Sequence, residues 1–203
     1  MKLELELSHV YGGDGIVRYE KVEKEKLQRK KTRTTTKGDI GLAVDRATDE
    51  IVKEVSNEPV NTFDMQDGKP VLRLGGVHGK LWGTMKAGGS LLAQLGDEDF
   101  KSIAASNRLM QMIQIEPMYC PLENATEMKK MTVPQILNTM NKSFVPQHFD
   151  VIEKCNATLN IVYPDIIKDK VIKLLQQCEK MATLNKRRGQ IKILNWKEIL
   201  KGE

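Results

Sequence analysis

The stretch Leu72–Gly89 (LRLGGVHGKLWGTMKAGG) holds glycines and basic groups able to meet an anion. Gly75 and Gly76 open it, and His78, Lys80 and Lys86 supply a ring donor and two cations. Glycines at a helix entry let backbone N–H groups come close to a ligand, and the helix N-terminus presents a partial positive charge to a phosphate. The same pattern also describes a helix with a glycine entry and a glycine stop, which needs no ligand. Nucleotide hydrolysis is excluded. A phosphate-binding loop requires G-x4-G-K-[ST], whereas Gly75 to Gly79 is one residue short and Leu81 stands where the Mg²⁺-binding hydroxyl belongs. No G-x-G-x-x-G follows a strand, so a dinucleotide site is excluded too.

Two further sets of residues could do chemistry. Asp39 and Asp45 flank a glycine-bearing segment beside a run rich in Lys and Arg. Such carboxylates suit a divalent metal such as Mg²⁺, or positioning of a ribose 2′-hydroxyl for attack; they equally suit turns and caps. Cys120, His148 and Cys155 are of zinc-ligating type, but no C-x2-C pair supports them, and unligated cysteines are the simpler expectation. Cys178 falls on an apolar helix stripe and reads as core. His9, His78 and His148 lack a partner pattern for nucleophilic catalysis.

The 203-residue chain carries a net charge of +5 and a pI near 9.0, a balance that favours a polyanionic partner such as nucleic acid. Three widely spaced cysteines imply no disulfide framework, and a reducing cytoplasm fits. The opening MKLELELSHV is not a signal peptide, and no apolar run approaches the roughly 18 residues a membrane span needs. A soluble cytoplasmic protein with no membrane partner is expected.

Period-two alternation places a strand over Lys2–Val10, with Leu3, Leu5 and Leu7 on one face. Lys21–Lys37, with Lys30, Lys31 and Arg33, is too charged to bury much surface and reads as a mobile loop or arm, either a solvated loop of no special role or an RNA-touching one that orders on binding. Ile51–Val55 reads as a short apolar piece in a long connection. Val77–Leu95 reads as a helix, weakened at Gly83 and Gly88-Gly89 enough to suggest two shorter ones; Asp97–Ala105 reads as a second short helix. Leu109–Ile115 (LMQMIQI) is expected to be a buried strand stopped by Pro117. Pro117–Phe149, with basic Lys129 and Lys130, is expected to be an irregular insertion with a short helix near Gln135–Met140. Ala157–Val162 reads as a strand, Ile166–Met181 as an amphipathic helix, Asn185–Gly189 (with Arg187 and Arg188) as a basic turn, Gln190–Leu194 as a last strand, and Trp196–Leu200 as a short tail.

Without the insertions the order is strand, helix, strand, strand, helix, strand. That is the α+β, ferredoxin-like (RRM-like) βαββαβ unit, with large insertions over residues 14–68 and 117–149 in a single domain spanning 1–203. Base stacking on its sheet is not expected, because LELELS and LMQMIQI lack the aromatic pairs of RNA-recognition sheets. Basic loops with glycine backbones suit sequence-independent phosphate contact.

Several segments in order resemble a known family: His9–Gly13 closing the first strand, Gly38–Asp45 with aspartates six apart, Lys69–Leu72 leading into Gly75–Leu81, and Leu184–Ile193 (LNKRRGQIKI). The pattern is similar to the RAMP superfamily of CRISPR effector proteins, and within it to the guide-RNA-binding backbone subunits of type III and type VII-like complexes. The resemblance implies a ferredoxin-like palm and a thumb formed by the insertion at 117–149. Copies would stack head to tail along guide RNA (crRNA), with target RNA and other CRISPR effector subunits as partners in antiviral defence. RNA contacts are expected from Gly75, Gly76, His78, Lys80, Lys86, Arg187 and Arg188, and from Lys30, Lys31, Arg33, Lys129 and Lys130. The resemblance also places Asp39 where type III backbone subunits cleave target RNA with a divalent metal. A guide-processing endoribonuclease using His9 or His78 without metal, and an RNA-binding domain outside CRISPR, are the other readings.

Overall fold

The structure, a computed structural model, describes residues 1–13, 17–32, 46–138, 143–184 and 187–201, and their side chains except within 22–32, 46–57, 135–138, 143–145 and 187–188. The fold is mixed α+β, with a mixed sheet and several helices. It divides into two compact units, Met1–Val17 with Val60–Glu203, and Arg18–Pro59.

The larger unit is built on one long strand, β9 (Ser143–Val162). Strand β1 (Lys2–Tyr11) pairs antiparallel with Val151–Asn160 along one edge of β9, and the end of β3 (Arg46–Asn61) continues that edge, Val60 and Asn61 pairing in parallel with His148 and Phe149. The other edge takes β8 (Met128–Asn138) against Ser143–Ile152 and the short β6 (Gln114–Glu116) against Asn160–Val162. Strand β12 (Gln190–Ile193) pairs antiparallel with the free side of β1. The order β12–β1–β9–β6 is therefore antiparallel at every step.

Alternation drives the core. Leu3, Leu5 and Leu7 of β1, Cys155, Ala157, Leu159 and Ile161 of β9, and Ile191 and Ile193 of β12 are buried on one face. Against them pack α1 (Lys80–Gln94), α2 (Ile103–Gln111) and α3 (Lys168–Lys180), through Leu81, Met85, Leu109, Val171, Leu174, Leu175 and Cys178. Truncating one such leucine costs about 2–5 kcal/mol. The opposite sheet face is polar, with the Glu6–Lys154 ion pair (2.7 Å) lying across it. At His9 (φ 53) the alternation breaks: the next core residues, Val10 and Ile152, are three positions from Leu7 and Cys155 rather than two. Tyr11, Phe149 and Val151 consequently form a separate apolar cluster, Tyr11 meeting Phe149 edge-on at 5.8 Å.

Several expectations change. Leu109–Gln111 closes α2, so the strand expected over Leu109–Ile115 reduces to β6. The segment expected to be irregular holds β7 (Tyr119–Pro121), β8 and the first part of β9; residues 135–138, expected in a helix, belong to β8. The charged arm is largely strand: β2 (Val17–Thr32) pairs with β3 in the smaller unit, and Ile51–Val55 lies inside β3. Charge does not prevent a backbone ladder, whose hydrogen bonds belong to the main chain. A small three-stranded sheet joins β4 (Asp64–Gln66), β5 (Lys69–Arg73) and β7. Beyond α3, β10 (Thr183–Leu184) pairs with β11 (Arg187–Arg188), and the expected tail is helix α4 (Trp196–Lys201).

Helix α1 is unbroken across its glycine pair. A Cβ on Gly88 would touch Gln177 and Met181, and one on Gly89 would strike Ser106 Oγ, so these residues let α1 nest between α2 and α3. Two polar ties hold the helices in place. Glu179 of α3 accepts from the Ile193 N–H (2.6 Å) and from Trp196 Nε1 (2.9 Å). Lys173 of α3 binds Asp97 (2.7 Å) and Asp99 (3.0 Å), beside the short turn Glu98–Phe100.

The hydrogen bond from Lys173 holds the Asp97 carboxyl below its usual range, and the two aspartates raise Lys173. A depressed carboxyl stabilises the fold above its unfolded value and loses that contribution as pH falls through the folded value; a raised amine loses its contribution as pH rises through its folded value. The stability lost in Lys173→Gln is therefore expected to be full near neutral pH, to shrink below about pH 4 and again above about pH 10.5, as read from urea midpoints across pH.

Candidate functional site

The loop Leu74–Gly79 and the start of α1 form one wall of a groove of about 580 Å³. Gly79 is the N-cap of α1, with no side chain capping the helix and no acid in its first turn. The groove is lined by Val77, His78, Trp82, Lys86, Ser90 and Thr183, and among the described residues no carboxylate lines it. Trp82 and Lys86 are one helical turn apart on one face. The Lys86 ammonium lies 5.3 Å from the Trp82 ring centroid, a cation–π contact. Trp82 is half-buried and rests against the main core.

A short strand ladder lies beside this groove. Thr183 pairs with Arg188 in the β10–β11 ladder, and β10 packs against α1. The backbones of Val77–Lys86 and of Arg187–Arg188, within two segments expected to contact RNA, thus share one region of the surface. Gly189 is needed there, because a Cβ would press on Leu184 Cβ at 3.0 Å and on the Ser8 carbonyl at 3.1 Å.

The glycines of Leu74–Gly79 act differently from the expectation. Gly75 N–H donates to the Met118 carbonyl (3.1 Å), Gly76 N–H to Ile115 (3.2 Å) and Gly79 N–H to Gly76 (3.0 Å). A Cβ on Gly75 would meet the Ile115 and Pro117 carbonyls. These three amides of the Gly75–Gly79 segment are engaged inside the fold. The close approach that glycine permits here is to the chain itself. What faces the groove is side chains: His78, Trp82 and Lys86.

Other expected site residues lie elsewhere. Lys80 begins α1. Lys129 and Lys130 are exposed on β8, where Lys129 is paired with Glu153 at 2.8 Å, each raising the other's tendency to stay charged. Exposed pairs of this kind contribute little to stability, so Lys129 can exchange partners at small cost. Asp39, Asp45 and Arg33, and the side chains of Lys30, Lys31, Arg187 and Arg188, lie outside the described residues and side chains. Cys120 and Cys155 are buried in the main core, while His148 lies on β9 with Nδ1 2.9 Å from Thr132 Oγ1; among the described residues no three His, Cys, Asp or Glu side chains gather as a metal-holding group.

Trp82, Ser90 and Thr183 were not singled out as site residues by sequence reasoning. The i, i+4 spacing of Trp82 and Lys86 was the available signal for the first; the approach of Thr183 comes from the tertiary fold. Among the described residues no helix is long and apolar enough to cross a membrane. Compared with known proteins, the chain matches no family model and no curated protein.

Two outcomes are expected. Gly75→Ala should destabilise the fold by about 1–3 kcal/mol in chemical denaturation, the cost of overpacking; unchanged stability with weakened RNA binding would return the amide to a phosphate role. Burial pushes the thiols of Cys120 up to about 11 and of Cys155 and Cys178 up to about 12. At pH 8 Ellman's reagent should therefore leave all three unmodified in the folded chain and react with all three in denaturant.

Proposed function

We propose that the chain is an RNA-binding backbone subunit of a CRISPR ribonucleoprotein, a ferredoxin-like palm that lines up in copies along guide RNA and presents it to target RNA. The observation that carries this reading is the strand order β12–β1–β9–β6, antiparallel throughout, with α1 following β1 and α3 following β9. That is the order expected of a βαββαβ unit whose second and third strands are β6 and the latter part of β9.

Three features support it. The long inserted strands fall where the resemblance places a basic arm and a thumb: β2 and β3 between β1 and α1, and β8 with the first part of β9 between β6 and the palm portion of β9. Among the described residues the outer face of β12, β6, Lys2–Ser8 and Lys154–Asn160 carries no aromatic side chain, which points RNA contact toward loops and helix α1. The groove along α1 offers Lys86 and His78, with no lining carboxylate among the described residues, a site suited to sequence-independent phosphate contact. A cytoplasmic setting and further effector subunits belong to the same proposal.

The test is purification with a guide-length RNA. The chain should bind it with an affinity that falls steeply with salt, and the complex should grow in size with RNA length as copies add. Failure to bind RNA, or a complex of fixed single-copy size on lengthening RNA, would remove the backbone role. Labelled target RNA with Mg²⁺ is expected to remain intact; regular cleavage abolished by Asp39→Ala would instead establish an endonuclease subunit.

A further inference from the structure

We infer that the groove along α1 is a pocket for one unpaired nucleotide of the bound RNA, with the base stacked on Trp82 and the adjoining phosphate on Lys86. The inference deepens the RNA-binding reading and rests on it. Its warrant lies in how the groove is furnished. A volume of about 580 Å³ falls within the range of small-ligand sites, roughly 300–1,000 Å³. Trp82 is anchored on one side by the core, so its ring is held without further loss of freedom on binding. A cation already stands over that ring, in the Lys86 contact at 5.3 Å, so the ring has a neighbour on a flexible, exposed side chain rather than on packed backbone.

Lysine is a mobile point charge on a long stem. When a base takes the ring, the ammonium can move to the phosphate beside it, exchanging a cation–π contact for a charge-assisted hydrogen bond. His78, Ser90 and Thr183 line the same groove and supply polar groups for the sugar or base edge, and among the described residues no lining carboxylate repels the phosphate. A base in a duplex is stacked on its neighbours, so the pocket selects single-stranded or splayed-out nucleotides. The other tryptophan, Trp196, is tied through Nε1 to Glu179 and offers no equivalent platform.

The experiment follows Trp82 fluorescence in a Trp196→Phe background during titration with single-stranded hexaadenylate, the same strand in duplex form, and AMP. The single strand should quench the emission and the duplex should not. Trp82→Leu should weaken hexaadenylate binding about tenfold, and Trp82→Phe, which keeps a ring, should lose less. Lys86→Gln should lower the slope of log affinity against log salt by about 0.7. Unfolding midpoints identify any variant that fails to fold, and quenching in the unmutated groove tests the pocket independently of them. Binding of hexaadenylate with unchanged Trp82 emission and a Trp82→Leu affinity within about twofold of the parent overturns the pocket while leaving RNA binding in place. Equal quenching by AMP at the same concentration overturns the strand as occupant in favour of a free nucleotide. No binding of any RNA removes the pocket and the proposed function together.

Discussion

The larger unit depends on the sharing of one strand. β9 is paired along both edges, by β1 and the end of β3 on one side and by β8 and β6 on the other. Its later portion is committed to the core through Cys155, Ala157, Leu159 and Ile161, and its earlier portion to the separate cluster of Phe149 and Val151. A strand's side chains alternate with a period of two, so a slip of one residue would turn a whole face outward. The irregular step at His9 is what lets one continuous strand serve two apolar clusters on opposite faces. It is matched on both partners, Leu7 to Val10 and Cys155 to Ile152, so the pairing register is kept across it.

The junction is further secured by groups that sequence reading does not single out. Asp150 is buried, accepts from Thr62 Oγ1, and its carbonyl takes the Gly12 N–H at 2.9 Å. Gly13 N–H bonds the Thr62 carbonyl at 2.8 Å, and Asn61 Nδ2 donates to the His148 carbonyl. Removing one partner from a buried pair of this kind costs more than the bond itself contributes, because the remaining group loses its water as well. The glycines after β1 serve this joint: a Cβ on Gly12 would press into the Thr62 backbone.

What could be read from the chain follows from how local each signal is. The Leu3–Leu5–Leu7 alternation and the Val171–Leu174–Leu175–Cys178 stripe were legible because a single element states its own period. Leu109–Ile115 was misread because a short apolar run carries no period of its own, and its first residues finish α2. The four prolines between Pro117 and Pro146 suggested irregular chain, yet Pro134 lies within β8 opposite Pro146 of β9, where the ladder accommodates both. Gly75 and Gly76 correctly signalled a close approach of backbone, but the carbonyls they approach, at Ile115 and Met118, lie far along the chain. The same distance concealed the groove: Trp82 and Lys86 are neighbours on α1, whereas Thr183 reaches them only through the fold.

The double hydrogen bond at Glu179 bears on the exposed margin of the sheet. β1 occupies one side of β12, so the Ile193 amide held by Glu179 faces the outer margin of the sheet. An unpaired margin invites another chain to add as a strand, the usual route to sheet-to-sheet aggregation. Here a carboxylate occupies one of the donors such an intruder would need, and through Trp196 it also ties α4 to the same corner. The consequence is local: continuous strand addition at that corner is discouraged by the chain itself.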